Sequence, residues 1–444
     1  MRRRGLFLAI VLALLVAVGG TFACAQPGVD WVGMTMGKFD TPETAQYAHV
    51  TLVRTAGSRL GGTWGAYTLV GAIEDSHIDF TLTDASGAEV GFLRGTIGND
   101  MFSGIGTIVP APRPGSTALQ PQVEVKWTLT RGAVPPSAPK TYTYEPASYY
   151  GVYTAKEPPV LHIFPGDTVN TRTMDAARDA NIPRHGNGGD VNVGPFYVEG
   201  ALPGDTLVVK LLKVKPNKVV GRQGSRFNQY AVTQAYQLAA KYDPNFNGSW
   251  NQDVEKGTAT LPATPGLPHL TIPLKPMLGC ISVAPAGNEQ YRGTDLGPYG
   301  GNLDYNDNVA GTTLYFPVFQ PGALLGMGDA HGAMGDGEVV GTGLETSVDV
   351  TFTVNVIKGY RTAQVRAQTD DYLVSFGVSG SVPESIQLAT TQLAEWMKKD
   401  YKLNDSEVAL LFGDVLKYDI TELVDPHFNV AAKVPKKVLA MLNQ

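Results

Sequence analysis

The sequence predicts a mainly β chain of α+β class: a small N-terminal antiparallel barrel or sandwich, then a larger β-rich domain with helices toward its end. Three observations carry this. Apolar and polar residues alternate with period two through most of the first third, the signature of half-buried strands. Glycine and proline are frequent, 51 and 30 of 444 residues, so turns are many. Helical spacing appears only late, after about residue 380. With 43 % hydrophobic and 17 % charged residues the chain can bury a real core, which excludes disorder as its main state. A net charge of −6 without any Lys/Arg run in the body excludes a nucleic-acid footprint.

The N-terminus reads as a targeting segment, 1–25. Arg2, Arg3 and Arg4 precede an apolar run from Leu6 to Val18, and the small-residue end Ala23-Cys24-Ala25 follows, as in a secretory signal. The run is too short to span a bilayer comfortably. Cleavage after Ala25 would remove three arginines and no acid, leaving the mature chain more acidic. A lipidated Cys24 is the rival, disfavoured because Thr21-Phe22-Ala23 lacks the usual aliphatic residue three places before such a cysteine. The expected location is secreted or periplasmic, with no transmembrane span in the mature chain. Cys280 is then the only body cysteine, so no disulfide can form within the chain.

From Trp31 to Thr130 the pattern is a meander. Ile78, Phe80 and Leu82 alternate with Asp79 and Thr81 before a turn from Asp84 to Gly87. Trp31, Trp64 and Trp127 read as its core. This N-terminal β domain is placed at 27–134, and the proline-rich stretch 135–140 as a linker. The second domain, 141–444, opens on strands with a repeated Pro-Gly-Asp turn, FPGDTV (164–169) and LPGDTL (202–207), a hint of internal duplication. The polar, aromatic-spotted stretch 222–258 reads as an insertion or lid. Near the end, Ser381 with Glu384 and Asn404 with Glu407 are spaced as capping boxes. Ile386, Ala389, Leu393, Trp396 and Met397 share one face, so two helices are expected to close the domain.

Between 279 and 345 glycine gathers together with Asp295, Asp304, Asp307, Asp329, His331, Asp336, Glu338 and Glu345. The densest string is GMGDAHGAMGDGE (326–338). Asp329 and His331 lie two apart, as do Asp336 and Glu338, so each pair would project to one side if extended. One imidazole among carboxylates suits a divalent metal, zinc-like with an open position or calcium-like if oxygens dominate. An acidic glycine-rich loop is more often turn chemistry than a metal site, and spacing alone leaves both readings open. The same holds for Asn302 and Asp304 in PYGGNLDYN, where an Asx turn is the plain reading, and for Glu345, an acid at a strand start that would ordinarily be exposed.

The strings TMDA (173–176), VGPFYVEGALPGDTLVV (193–209), GPYGGNLDYN (297–306) and TTLYFPVFQPGALLGMGDAHGAMGDGEVVGTGLETSVDV (312–350), in this order, resemble the acetamidase/formamidase family over about 141–440. Residues 27–134 lie outside that resemblance and look like an added domain. The resemblance implies a β-sandwich-like amidase domain with C-terminal helices, hydrolysing the C–N bond of small amides of the formamide or acetamide type, with cyclic amides (lactams) as the alternative. It implies Asp304, Asp329, His331 and Glu345 as metal ligands, Glu338, Asp336 and Asp175 as catalytic groups, and Asn302, Gly301 and Gly328 around the substrate. Such chemistry fits the residues, since an amide needs its carbonyl polarised, a nucleophile, and a proton for the leaving nitrogen. A metal held by His331 and carboxylates could do the first two, with Glu338 moving the proton.

Other hydrolytic designs are not signalled. GVSGS (377–381) is out of register for a Gly-x-Ser-x-Gly elbow. Cys280, in LGCISV, reads as a small buried hydrophobe. His162 reads as a sheet-face residue, His185 lies in a loop that could reach a cleft, and His49, His77, His269 and His427 lack convergent partners. A reading of a different class remains, a non-catalytic envelope binding protein on the amidase scaffold. The sequence leaves the subunit number open, a homo-oligomer included.

Overall fold

The structure, a computed structural model, describes residues 29–98, 101–110, 120–175, 183–186 and 189–442. The targeting segment 1–25, with Cys24, lies outside the described residues. Eight strands from Val29–Met36 to Val123–Arg131 each pair antiparallel with the next. The last returns to the first, Trp31 opposite Arg131 through Met36 opposite Lys126, so the sheet closes as a barrel. Period two is the reason: in His77–Thr83, Ile78, Phe80 and Leu82 point inward and are buried. Trp127 fills the centre, edge-on to Trp64 and Phe80 at 6.2 and 5.6 Å. Its indole N–H donates to the carbonyls of Arg94 and Ile105 at 3.1 and 3.2 Å, which satisfies its one polar atom inside an apolar core. Residues 132–140 then run without strand or helix.

The remainder is built on two large sheets, one of thirteen strands and one of nine, with a two-stranded ribbon of Val152–Thr154 and Gln290–Arg292 beside them. Phe196, Leu278, Ile281, Leu325 and Met327 from the first meet Val209, Leu211, Phe316, Val350 and Phe352 from the second in one shared core, as in a sandwich. Both Pro-Gly-Asp strings are turns with the aspartate folded back. Asp167 accepts from Phe164 N and Lys140 N at 2.8 and 2.6 Å, and Asp205 accepts from Leu202 N and Gly359 N at 2.9 and 2.8 Å. The strands that follow, Thr168–Arg172 and Thr206–Pro216, lie on either side of Val348–Ile357. Asp205 also takes the barrel's His49 Nε2 at 2.7 Å, and Lys358 pairs with Asp30 at 3.1 Å, so polar contacts join barrel and sandwich.

The two longest helices are Val382–Tyr401 and Asp405–Val415. The Ser381 side chain caps the first through Glu384 N, and a full capping box at Asn404 and Glu407 opens the second. Ala389, Leu393, Trp396 and Met397 pack with Leu373, Ala432 and Val434 of the nine-stranded sheet. The expectation that these helices close the domain is corrected, because the chain returns to the sheet as Lys417–Glu422 and Phe428–Pro435. The second strand, FNVAAKVP, is buried on both faces and shows no alternation, so periodicity could not reveal it. Among the described residues no helix is long and apolar enough to cross a membrane.

The barrel core and the sandwich core share no residue. Trp127→Ala should therefore cost the barrel about 3–5 kcal/mol and leave the sandwich unchanged. Urea denaturation should give two transitions with only the barrel's moved; one shifted transition for the whole chain would show that the two unfold together.

Candidate active site

Leu325–His331 carries the centre of the site. It lies beside Met277–Ser282 on one edge and, on the other, beside Asn192–Val198 along its first half and Glu345–Thr346 at its end. All seven of its residues are buried. Glycine makes this possible where backbones and functional groups crowd. A Cβ on Gly279 would stand 2.4 Å from Asp304 Oδ1 and 2.6 Å from Asp329 Oδ2, and one on Gly343 would stand 2.4 Å from His331 Nδ1.

The imidazole of His331, fully buried, is ringed by carboxylates. Its Nε2 lies 3.1 Å from Glu345 Oε1, 3.4 Å from Asp329 Oδ2 and 4.0 Å from Glu338 Oε1, and its Nδ1 lies 3.8 Å from Asp304 Oδ1. The structure thus gathers five sequence-predicted residues around one point. Three of the seven non-glycine residues with positive φ among those described are in this group: Asp304, Asp329 and Glu338, at +42°, +45° and +47°. Such backbone costs of order 1–3 kcal/mol each and is tolerated where the surroundings enforce it, often at functional sites.

The electrostatics is that of negative charge packed into a dry place. Burial, reinforced by neighbouring Glu338, pushes the Asp304 carboxyl well above its usual range, and burial does the same to Glu338. Burial raises Glu345 to about 7. Burial alone would lower His331, but Glu345 and Asp329 outweigh it and raise the imidazole well above its usual value. Both oxygens of Asp304, Nδ1 of His331 and Oε2 of Glu345 are buried with no hydrogen-bond partner among the described residues. Unpaired buried acceptors are costly, and a cation can satisfy carboxylate oxygens together with one nitrogen of the imidazole. The ligand atoms of Asp304, His331 and Glu338, and of Asp329, His331 and Glu345, each fall within 4.8 Å of one another, so these residues could hold a metal.

The cluster opens on a cleft of about 360 Å³ lined by Asp329, Glu338 and Glu345 with Asn302, Arg222, Gln223, Thr294 and Thr342. Sequence reading missed two further acids there, Asp190 and Asp425, raised by burial to about 8 and about 7. It also missed Glu422, whose carboxylate groups with those of Asp304 and Asp425. Glu422 and Asp425 arrive on the unforeseen C-terminal hairpin. Asp190 follows two glycines and carries no local signal. Glu345, expected to be exposed, is buried.

Other predicted residues fall elsewhere. Asp336 does not join Glu338: the segment Asp336–Glu338 is a 3₁₀ turn, not extended, and Asp336 is exposed, accepting from Asn306 Nδ2 at 2.7 Å. Asp175 is buried beside Lys218, 3.1 Å from its Nζ, in an adjoining cavity, and acts on Glu345 through its charge. Gly301 and Gly328 line no part of the cleft; they admit close backbone, since a Cβ would meet Asp295 O at 2.3 Å and Val191 O at 2.0 Å respectively. Asn302 does line it, with Nδ2 donating to Asp425 Oδ2 at 2.6 Å and Oδ1 accepting from the Cys280 thiol at 2.8 Å. Cys280 is buried, and burial pushes its thiol far up, away from nucleophile chemistry. His185 is exposed and pairs with Glu157 at 3.3 Å outside the cleft. The stretch after Arg222 borders the cleft mouth through Gln223 and the Gly224 N–H to Thr342 Oγ1.

Residues 288–370 match the profile described as the Acetamidase/Formamidase family. An acetamidase of Mycolicibacterium smegmatis is 24 % identical over 248 residues, 44 % of this chain and 59 % of that protein, so the chain spans little more than half its length. A formamidase of Methylophilus methylotrophus is 24 % identical over 345 residues, 60 % of this chain and 83 % of that one. Among solved structures, a predicted acetamidase/formamidase from Thermoanaerobacter tengcongensis superposes with a TM-score of 0.58 at 27 % identity, over 69 % of this chain and 99 % of that chain. The matched profile lies across the strand and turns that carry Asn302, Asp304, Asp329, His331, Glu338 and Glu345, and in that match and in its fold the chain is similar to the acetamidase/formamidase family.

Proposed function

We propose that this protein is an exported amidohydrolase that cleaves the C–N bond of small linear amides and releases ammonia, with a divalent cation at the His331 cluster. The observation that carries the reading is the imidazole of His331 ringed by Asp304, Asp329, Glu338 and Glu345 at the floor of an open cleft, with unpaired buried acceptors. The names of the similar acetamidase and formamidase support the substrate class. Export rests on the N-terminal segment 1–25.

Asp329, His331 and Glu345, with Asp304, would hold the cation. Once bound, it supplies Lewis acidity toward the amide carbonyl and acidifies water beside it. The chain's own residues do the rest. Glu338, buried and 4.0 Å from His331, is placed to take a proton from the attacking water and return it to the departing nitrogen, and burial raises its carboxyl above the usual range so that it holds that proton more readily. Asp425, fixed by the Asn302 amide, stands at the cleft wall as a second proton-holding carboxyl. Burial of the cluster keeps these charges in low dielectric, where they act strongly.

His331→Ala, provided it stays folded, should lose the bound cation and lower ammonia release from formamide and acetamide by about 10³-fold or more, as removal of a central catalytic group does. Full metal content together with full turnover would overturn the proposal. Gly343→Ala should act at one remove: its methyl displaces the imidazole, so cation affinity should fall with a stability loss of about 1–3 kcal/mol. Metal titration followed by calorimetry reads both.

The pH dependence has a definite sign. Without a cation, Glu345, Asp425 and Asp190 hold their protons to about 7, 7 and 8, more tightly than in the unfolded chain. Their contribution to stability is therefore present at low pH and lost as pH rises through those values. In EDTA the melting temperature should fall between about pH 5 and 8, and added divalent cation should raise it by an amount that grows with pH. A rise over that window in EDTA would contradict the account.

A further inference from the structure

Arg222 is the cation that lines the active-site cleft among the described residues. It ends the strand Val220–Arg222 and lies directly across from Glu345 in an antiparallel pair. Residues so opposed send their side chains to the same face, with Cβ atoms about 5 Å apart, and an Arg and a Glu in that relation ordinarily pair with each other. Here Glu345 turns inward to His331 Nε2 at 3.1 Å instead. Arg222 is exposed, and its side chain has no hydrogen bond or ion pair among the described residues. A guanidinium is thus held one cross-strand step from the His331 cluster, with five carboxyl groups on the same walls, and is engaged by none of them.

We propose that the substrate is an amide bearing a carboxylate at the end remote from the scissile bond, and that Arg222 receives that carboxylate. This rests on the amidohydrolase reading and narrows its substrate class. The planar guanidinium matches a carboxylate with two parallel N–H donors, which neutral lining residues cannot offer. Gln223, Thr294 and Thr342 supply further hydrogen-bonding groups along the cleft. At about 360 Å³ the cleft has far more room than formamide or acetamide needs. The five acids make the argument sharper. Without Arg222 they would repel an anionic substrate and welcome an ammonium-bearing one. The short reach from Arg222 to Glu345 fits the monoamide of a short dicarboxylic acid. Hydrolysis adds water across the C–N bond: the carbonyl carbon gains the oxygen, the nitrogen leaves as ammonia with the proton, and a dicarboxylate is released.

The test uses the full mature chain loaded with zinc and three amides of similar length: succinamate, neutral pentanamide and cationic 4-aminobutanamide. Ammonia release should favour succinamate over pentanamide at least tenfold in kcat/KM, chiefly through KM. Arg222→Gln should erase that preference, and Arg222→Glu should turn it toward 4-aminobutanamide. Equal use of the three by the unsubstituted protein, a preference for the cationic amide, or an equal loss on all three in Arg222→Gln would overturn the inference and leave the amidohydrolase reading standing. Release of ammonia from none would sink that reading instead, and succinate binding then decides the role of Arg222. Succinate should raise the melting temperature of the unsubstituted protein and not of Arg222→Gln; equal shifts would overturn it.

Discussion

Everything at the centre of this protein depends on keeping four carboxylates dry and within 4.0 Å of one imidazole. Like charges at that range in low dielectric repel strongly, and the fold holds them there only because a buried strand, Leu325–His331, is locked between neighbours on both edges. The sandwich core supplies the rigidity. Left-handed backbone at Asp304, Asp329 and Glu338 then aims three acids where regular strand geometry would not. The arrangement is a strained, proton-hungry one, and its cost is offset elsewhere by apolar packing between the two sheets.

The sequence was most legible where its periodicity and its glycines had one physical meaning. Alternation in the first third could mean only strands, and the three tryptophans found the barrel interior as expected. The glycine-rich block was legible as a place where groups crowd, because glycine there makes room: Gly279 and Gly343 are spaces into which Asp304, Asp329 and His331 press. The same block misled at Asp336, since two-apart spacing implies a shared side only in extended chain, and the backbone there coils into a turn. It misled again at Gly301 and Gly328, whose missing side chains serve neighbouring backbone.

The larger omission was tertiary. Glu422 and Asp425 sit in a hairpin that follows two well-capped helices, and helix signals drew the reading past it. A strand buried on both faces, such as Phe428–Pro435, has no polar face to betray its period. Arg222 and Asp190 were invisible for another reason: each is an ordinary charged residue in a polar stretch, and only the pairing of Val220–Arg222 with Glu345 brings the first beside the cluster.

That C-terminal hairpin has a temporal consequence. Glu422 and Asp425 are synthesised well after the Leu325–His331 strand, so the full set of acids cannot converge until nearly the whole chain is available. Until then the earlier acids remain solvated and lightly coupled, with little to concentrate a cation among them. The centre is completed only when that hairpin has been made.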